Sequence, residues 1–421
     1  MLRSRGAATS TSQFLALAGS LAASLPDRPA ALNICERRDN FLVAFTAMLM
    51  RGQACLLPPS RVPAVVNEVM GEHPGSYVLD DACVEQARPA QPPRDLSIPV
   101  VPSDRVVVIG YTSGSTGRPK PNPKTWGGFA AVTALNARRL RDVLPAKWEG
   151  LLPWIVATVP SQHMYGMELS VLMPLLGGMG LHGGHPLYPA DIASALADVP
   201  GPRILVSTPL HLRALLESGV ELPELAAIAS ATAPLPVELA RAIERRFGTV
   251  LLEYFGSTET CIIASRRTAV DDAWHPYPGV TLQPANDGTQ VDAPWFASSA
   301  PLQDVLEIRS DGTFMVRGRN ADMVEVAGKR GSLADLTRRL ASIPGVLDAV
   351  VFQPDDADST AVRRLAALVV ADGMTEAEVL AKLAQAVDPA FLPRPLVLVP
   401  RLPRNEVGKL PRAQLLAALR R

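Results

Sequence analysis

The chain has 421 residues, 48% of them hydrophobic and 19% charged, a globular composition long enough for two or three lobes around sizeable cores. Lysine plus arginine and aspartate plus glutamate number 41 each, which leaves no net field to draw nucleic acid or an anionic membrane, so the expected partner is small or locally recognised. Cys35, Cys55, Cys83 and Cys261 form no C-x-x-C pair and have no histidine at metal spacing; they predict reduced, mostly buried thiols in a cytoplasmic protein and no structural zinc.

Arg3 and Arg5 precede an apolar stretch, as in a secretory leader. However, Phe14, Leu15, Ala18, Leu21, Ala22 and Leu25 recur at helical spacing and Ser20 and Ser24 interrupt the run, which predicts a helix instead. The longest apolar run, 169–181, contains Pro174 and three glycines and falls short of the ~20 residues that a bilayer span requires. No membrane segment is expected.

VVVIGY (106–111) reads as a buried strand, and YTSGSTGRPK (111–120) follows it as a glycine- and hydroxyl-rich loop. The P-loop spacing fails here, because Ser115 stands five residues after Gly110, Pro119 five after Gly114, and Lys120 three after Gly117. On its own residues the segment fits a phosphate loop and a polar turn between strands equally. Gly178, Gly180 and Gly183 match G-x-G-x-x-G, but no helix is expected directly after them. His182 and His185 flank two glycines in a loop with no acidic or thiol ligand in view, so no metal site is expected there.

Beyond this point strands and helices alternate, the pattern of an α/β protein. PWIVATV (153–159), RILVST (203–208), AAIAS (226–230) and TVLLEYFG (249–256) predict strands. The stretches 189–199, 209–218 and 234–248 predict helices, the last opening with prolines and ending at Gly248. Each strand gives way to polar, proline or glycine residues at its carboxyl end, where α/β sheets bind ligands. From about 275 to 318 the sequence turns to short alternating strands, a small β-lobe with an Asp-Gly hairpin turn in RSDGTF (309–314). A module of about 100 residues follows, with helices in 331–346 and 375–387, the second capped by Thr375, and strands in 347–354, 363–371 and 394–399.

Six separated stretches, in order, resemble the adenylate-forming superfamily of acyl- and aryl-CoA synthetases, peptide-synthetase adenylation domains and firefly luciferase. They are YTSGSTGRPK, PSQHMYG (160–166), SATAPLP (230–236), EYFGSTET (253–260), Asp304 with Gly312 and Gly318-Arg319 at family spacing, and LPRNEVGKLPR (402–412). The resemblance implies an α/β amino-terminal adenylation domain at 1–318 that includes the β-lobe. It further implies a hinge at 319–322 and a mobile α+β C-terminal domain at 323–421. It also implies ATP and Mg²⁺ as cofactors, activation of a small carboxylic acid through an adenylate with release of pyrophosphate, and transfer to a thiol.

By that resemblance Thr112, Ser113, Gly114, Ser115, Thr116, Gly117 and Lys120 wrap the β- and γ-phosphates, and Glu259, with Thr116, holds the magnesium. Thr258 donates to the α-phosphate, and Phe255 stacks on adenine beside Glu253, Tyr254, Gly256, Ser257, Thr232, Ala233 and Pro234. Asp304 accepts the ribose hydroxyls, assisted by Arg319. Lys409 bridges carboxylate and phosphate oxygens as charge shifts, the principal catalytic role, with His163 as a further catalytic group. The acid pocket is expected at His163 and Tyr165, because HMYGM resembles the ring-facing segment of phenylpropanoid-type ligases, with Ser230 and Gly256, and with Trp154, Met167, Thr232 and Ala233 as wall residues by their nearness to the motifs. That favours a planar hydroxylated aryl acid such as a hydroxybenzoate. A short region ahead of the phosphate loop resembles stand-alone enzymes that load carrier proteins, so a phosphopantetheine thiol is the expected acceptor and coenzyme A the alternative. A luciferase-like oxygenase and a non-catalytic nucleotide binder remain as other classes. Three departures stand out: Ala321 where relatives carry Asp or Lys, Glu325 where many carry lysine, and PNPKTW in place of Gly-Val-x-x-[Thr/Ser]-His.

Overall fold

Runs of small and β-branched apolar residues form the middle strands of two sheets, buried along nearly all their length, as parallel strands covered on both faces must be. The computed structural model describes residues 2–4, 6–87, 98–113, 119–285, 288–319, 323–326, 329–354, 364–405 and 408–419. The larger sheet has nine strands in the order His275–Pro276, Cys261–Arg266, Val250–Ser257, Ala227–Ser230, Arg203–Ser207, Trp154–Ala157, Gly180–His182, Leu2–Ser4 and Ala7–Thr9. Its six middle strands, from Val250–Ser257 to Leu2–Ser4, run parallel. The second sheet orders Tyr77–Leu79, Ala30–Asn33, Ala54–Leu57, Val106–Ser113 and Pro119–Thr125, with only the last strand antiparallel to its neighbour.

One core joins the facing sides of these sheets. Ala31, Cys55 and Val108 from the smaller sheet belong to the same buried cluster as Ile155, Val206 and Leu252 from the larger. The helix Arg38–Arg51, buried from Arg38 to Leu49, belongs to that core; being enclosed all round, it lacks the usual polar face. Full burial of Phe41, Phe45 and Met48 contributes about 2 kcal/mol each. The strands alternate, so Trp154, Val156, Leu205, Ile228 and Leu251 face the other way, onto the helices Pro189–Asp198, Pro209–Glu217 and Val237–Phe247. The last of these ends where expected, at Gly248 with φ 61°. The amino-terminal helix runs Thr11–Ser24, with a capping box from Ser10 to Gln13.

The expected β-lobe and C-terminal elements form. Asp304–Ile308 and Phe314–Arg319 make the hairpin around Asp311-Gly312, and the helix Glu376–Leu383 is capped by Thr375 and Glu378. His275–Pro276, however, pairs with the nine-stranded sheet. The chain divides into two compact units, Met1–Val280 with Ala293–Ser298, and Thr281–Asp292 with Ser299–Arg421. The lobe strands from Thr281 onward thus group with the C-terminal module, whereas the sequence reading assigned them to the amino-terminal domain. Of the hinge residues, Asn320, Ala321 and Asp322 lie outside the described residues.

Candidate active site

The carboxyl ends of the parallel strands converge on one region of the amino-terminal unit. Gly110, three residues from the described end of its strand, is approached so closely that an added Cβ would stand 2.9 Å from Met164 Cε and 3.0 Å from Thr258 Cγ2. The strand entering the phosphate loop therefore lies against two of the other sequence motifs.

Thr112 and Ser113 end the strand before the phosphate loop and pair in register with Lys120 and Pro119. Gly114, Ser115, Thr116, Gly117 and Arg118 lie outside the described residues. The next helix opens only at Trp126, capped by Thr125, so the segment joins two antiparallel strands. Pro119, Pro121 and Pro123 occupy alternate positions of that edge strand, where a missing N–H costs little, and Lys120, Asn122 and Lys124 share its other face. Lys120 is exposed.

His163 caps the short helix Met164–Gly166, its Nδ1 accepting from the Tyr165 N–H at 3.3 Å. A π-helix, Met167–Leu172, continues it, a distortion frequent at functional sites. Tyr165, Met167 and Ser230 are buried; the Ser207 main chain bears on the Tyr165 hydroxyl, whereas the Ser230 Oγ has no hydrogen-bond partner among the described residues. Burial pushes the Tyr165 phenol well above its ordinary range. Trp154 is not brought here: it starts its strand, at the opposite end from the site, and packs against Gly180, whose Cβ would stand 2.6 Å from the indole.

The motif EYFGSTET spans a strand and a turn. Gly256 sits at a β-bulge, and a side chain there would collide with the Cys261 carbonyl. Thr258, Glu259 and Thr260 form the turn, closed by Cys261 at φ 58°. The Ser257 N–H donates to Thr260 Oγ1 at 3.0 Å and the Thr260 N–H to Ser257 Oγ at 3.2 Å. Thr258 and Glu259 are half-buried on this tight turn, and a carboxylate among hydroxyl oxygens is a donor set that suits Mg²⁺.

Phe255 packs against Trp274 with centroids 5.1 Å apart, and the Arg266 guanidinium carbon lies 4.3 Å from the centre of the same indole. Tyr254 is buried in the core and Glu253 is committed elsewhere. The Glu253 carboxylate accepts from Arg266 Nε at 2.7 Å, Thr268 Oγ1 at 2.6 Å and the Leu235 N–H at 3.1 Å. Glu253 thereby holds the turn 230–236, in which Thr232 takes φ 79°, a strained value for a β-branched residue. Thr232 and Ala233 are half-buried, while Pro234 is exposed.

The C-terminal unit carries Asp304, half-buried and paired in register with Arg319. The Asp304 carbonyl accepts from Thr289 Oγ1 at 2.9 Å. Lys409 is exposed on a hydrogen-bonded loop: its N–H donates to Asn405 Oδ1, its carbonyl accepts from the Asn405 N–H, both at 2.8 Å, and Gly408 takes φ 80°. Arg404 fastens this loop, donating to the Gly408 carbonyl at 2.9 Å and pairing with Asp348.

Residues 38–292 match the AMP-binding enzyme family and residues 338–409 its C-terminal domain. The chain belongs to the AMP-binding enzyme family. It is an AMP-forming, adenylate-forming ligase with the mixed α/β fold of that family. It is 31% identical over 312 residues to a 4-coumarate–CoA ligase of Halorhodospira halophila, covering 71% of this chain and 73% of that one. A 4-coumarate–CoA ligase of Rhodobacter capsulatus is 30% identical, the match spanning 58% of this chain and 60% of the relative. An indoleacetate–CoA ligase of Aromatoleum aromaticum is 27% identical, covering 80% and 71%. ATP-bound MatB from Rhodopseudomonas palustris superposes with a TM-score of 0.83 at 20% identity over 99% of this chain and 95% of that one. For o-succinylbenzoate CoA synthetase of Bacillus subtilis the TM-score is 0.81, at 18% identity over 98% and 94%.

Several residues that shape the ligase site carry no sequence motif. Arg38 is fully buried and donates to the carbonyls of Ala157 (3.1 Å), Val159 (2.5 Å) and Gly184 (3.4 Å) and to the Ser161 (3.2 Å) and Ser170 hydroxyls, fixing the segment that leads to His163. None of these acceptors is a carboxylate, and burial pulls the guanidinium down to about 9. Beside it His185 Nε2 donates to the Thr158 carbonyl at 3.0 Å. His182 does have an acid near it, contrary to expectation: Asp198 Oδ2 lies 3.6 Å from Nε2. Among the described residues no helix is long and apolar enough to cross a membrane.

Proposed function

We propose that this ligase activates a hydroxylated aryl acid and transfers it to coenzyme A. The observation that carries the reading is the contact of Gly110, Met164 and Thr258, which sets the strand entering the phosphate loop, the acid-facing segment and the Thr-Glu turn side by side. In this reading the main-chain groups and hydroxyls of 112–117 and Lys120 hold the phosphates, and Thr258 donates to the α-phosphate. Phe255, backed by Trp274, gives adenine a stacking surface. Asp304 and Arg319 take the ribose. Lys409 stabilises charge passing from the attacking carboxylate to the phosphate oxygens, where a preorganised cation acts on the transition state more than on the ground state. Magnesium, held by Glu259 with Thr116, would neutralise charge on the leaving pyrophosphate. His163, fixed by its helix cap, borders the acid.

The buried Ser230 hydroxyl supports a polar substituent on the acid, since a hydroxyl on the ring would end an unsatisfied state that costs about 1–3 kcal/mol. The names of the reported relatives support coenzyme A as the acceptor and lend nothing to the carrier protein favoured by chain length. Acid-dependent ATP–pyrophosphate exchange across a panel of aryl and fatty acids tests the reading, followed by thioester capture with coenzyme A and with a pantetheinylated carrier. Hydroxylated aryl acids should support the fastest exchange, and Lys409→Ala should lower it at least ~10²-fold. An unchanged rate in that variant, or exchange confined to fatty acids, contradicts the assignment.

A further inference from the structure

Lys124 lies on the same face of the edge strand as Lys120, four residues further from the phosphate loop. Its ammonium donates to the main-chain carbonyl of Glu259, a residue 135 positions away. The far end of the same turn is held by a second element. Glu168, buried in the π-helix with 1% exposure, accepts from the Ile262 N–H with both carboxylate oxygens, at 3.0 and 3.2 Å. Burial pushes this carboxyl up to about 7, while the Ile262 amide, the Lys124 ammonium and Asn136 work the other way. Internal hydrogen bonds between Ser257 and Thr260 complete the turn. The main chain of Thr258–Glu259 is thus tied to the strand leaving the phosphate loop and to the helix bearing the acid-facing residues.

We propose that Lys124 is a positioning residue for magnesium binding: by holding the Glu259 carbonyl it fixes where the neighbouring carboxylate meets the metal of MgATP, coupling the exit of the phosphate loop to the metal-bearing turn. The inference rests on the reading of Glu259 as the magnesium ligand. A lysine serves here because a flexible stem with a charged donor can reach a carbonyl across the gap between two sheets and make a strong bond to it. The unusual PNPKTW sequence acquires a purpose: its prolines keep the strand extended while the intervening positions carry the contacts.

Equilibrium ATP binding, measured calorimetrically on the full chain in excess magnesium chloride and again in EDTA, tests this in Lys124→Met, Lys124→Arg and Glu259→Gln. Supporting outcomes are a loss of about 10-fold in affinity for Lys124→Met with magnesium, near-parental affinity in EDTA, an unshifted melting temperature, and recovery of most of the loss in Lys124→Arg. Glu259→Gln should remove the magnesium-dependent gain altogether. If Glu259→Gln keeps that gain, the reading of Glu259 fails and the Lys124 role falls with it. If Glu259→Gln loses the gain while Lys124→Met retains it, only the Lys124 proposal is overturned. An equal loss with and without magnesium would also overturn it, by assigning Lys124 to the phosphates.

Discussion

Arg404 and Asp348 form a two-pronged ion pair, Nε to Oδ2 at 2.9 Å and Nη2 to Oδ1 at 2.8 Å, that ties the loop bearing Lys409 to the strand Val346–Phe352. Both side chains are about a quarter exposed, so water screens the pair only in part. Asp348→Asn keeps the shape and removes the charge. It should loosen the Asn405–Lys409 turn and slow exchange by about 5-fold, equivalent to roughly 1 kcal/mol, well short of the loss in Lys409→Ala. Exchange kinetics at saturating ATP check this, and a rate equal to the parent's would show that the loop holds its form unaided.

Ser230→Ala deletes a hydroxyl that has no partner among the described residues, so it should not lower the stability of the unliganded enzyme. It should cost about 10- to 100-fold in kcat/KM for a hydroxylated acid and little for the unsubstituted analogue. Equal effects on both acids would place this hydroxyl away from the substrate.

Stability should tilt with pH in opposite senses at two buried groups. Burial, helped by the Arg38 charge, pulls His185 down to about 4 from 6.5. Between those values the unfolded chain binds a proton that the folded one refuses, so stability falls as pH drops through this window. Glu168 stands at about 7 against an ordinary 4.5, so the folded chain keeps a proton that the unfolded one has lost, and stability falls as pH rises from about 4.5 to about 7. His185→Gln preserves a donor for the Thr158 carbonyl and should make the protein more acid-tolerant. Glu168→Gln should make it more tolerant of alkaline pH, each by roughly 2–3 kcal/mol across its window. Urea denaturation at both ends of the range measures the slopes, and an unaltered slope in either variant would contradict the assignment for that residue.

Arg38→Met should be among the most damaging single changes in the amino-terminal unit. It removes the donors for the Ala157, Val159 and Gly184 carbonyls, at a cost of about 3 kcal/mol, and frees the segment ending at His163. Arg38→Lys supplies one charged point in place of a planar fork and should recover only part of that loss. Thermal unfolding compared across the pair provides the measurement.

The sequence disclosed those parts of the site that are made by turns. Gly256, Gly408 and Thr232 occupy positions where main-chain geometry narrows the choice of residue or strains it, and the motifs around them were readable for that reason. Lys124, Glu168 and Arg38 were not readable, because each acts on main-chain groups distant in sequence, and a carbonyl or amide leaves no imprint on residue type. Trp154 was misplaced because nearness to a motif along the chain does not say which end of a strand a residue occupies. Glu253 looked like part of a nucleotide motif and instead braces the turn at 230–236, a role that depends on Arg266 and Thr268 across the hairpin.

Gly166 lies against the Pro160 carbonyl so tightly that no Cβ can be accommodated. On the proposed reading of this segment as acid-facing, anyone retailoring the enzyme for a different acid works with a floor that cannot be raised and walls that can be moved. Libraries should vary the side chains of Tyr165, Met167 and Ser230 and leave residue 166 alone, since a Cβ at that point would collide with the Pro160 carbonyl.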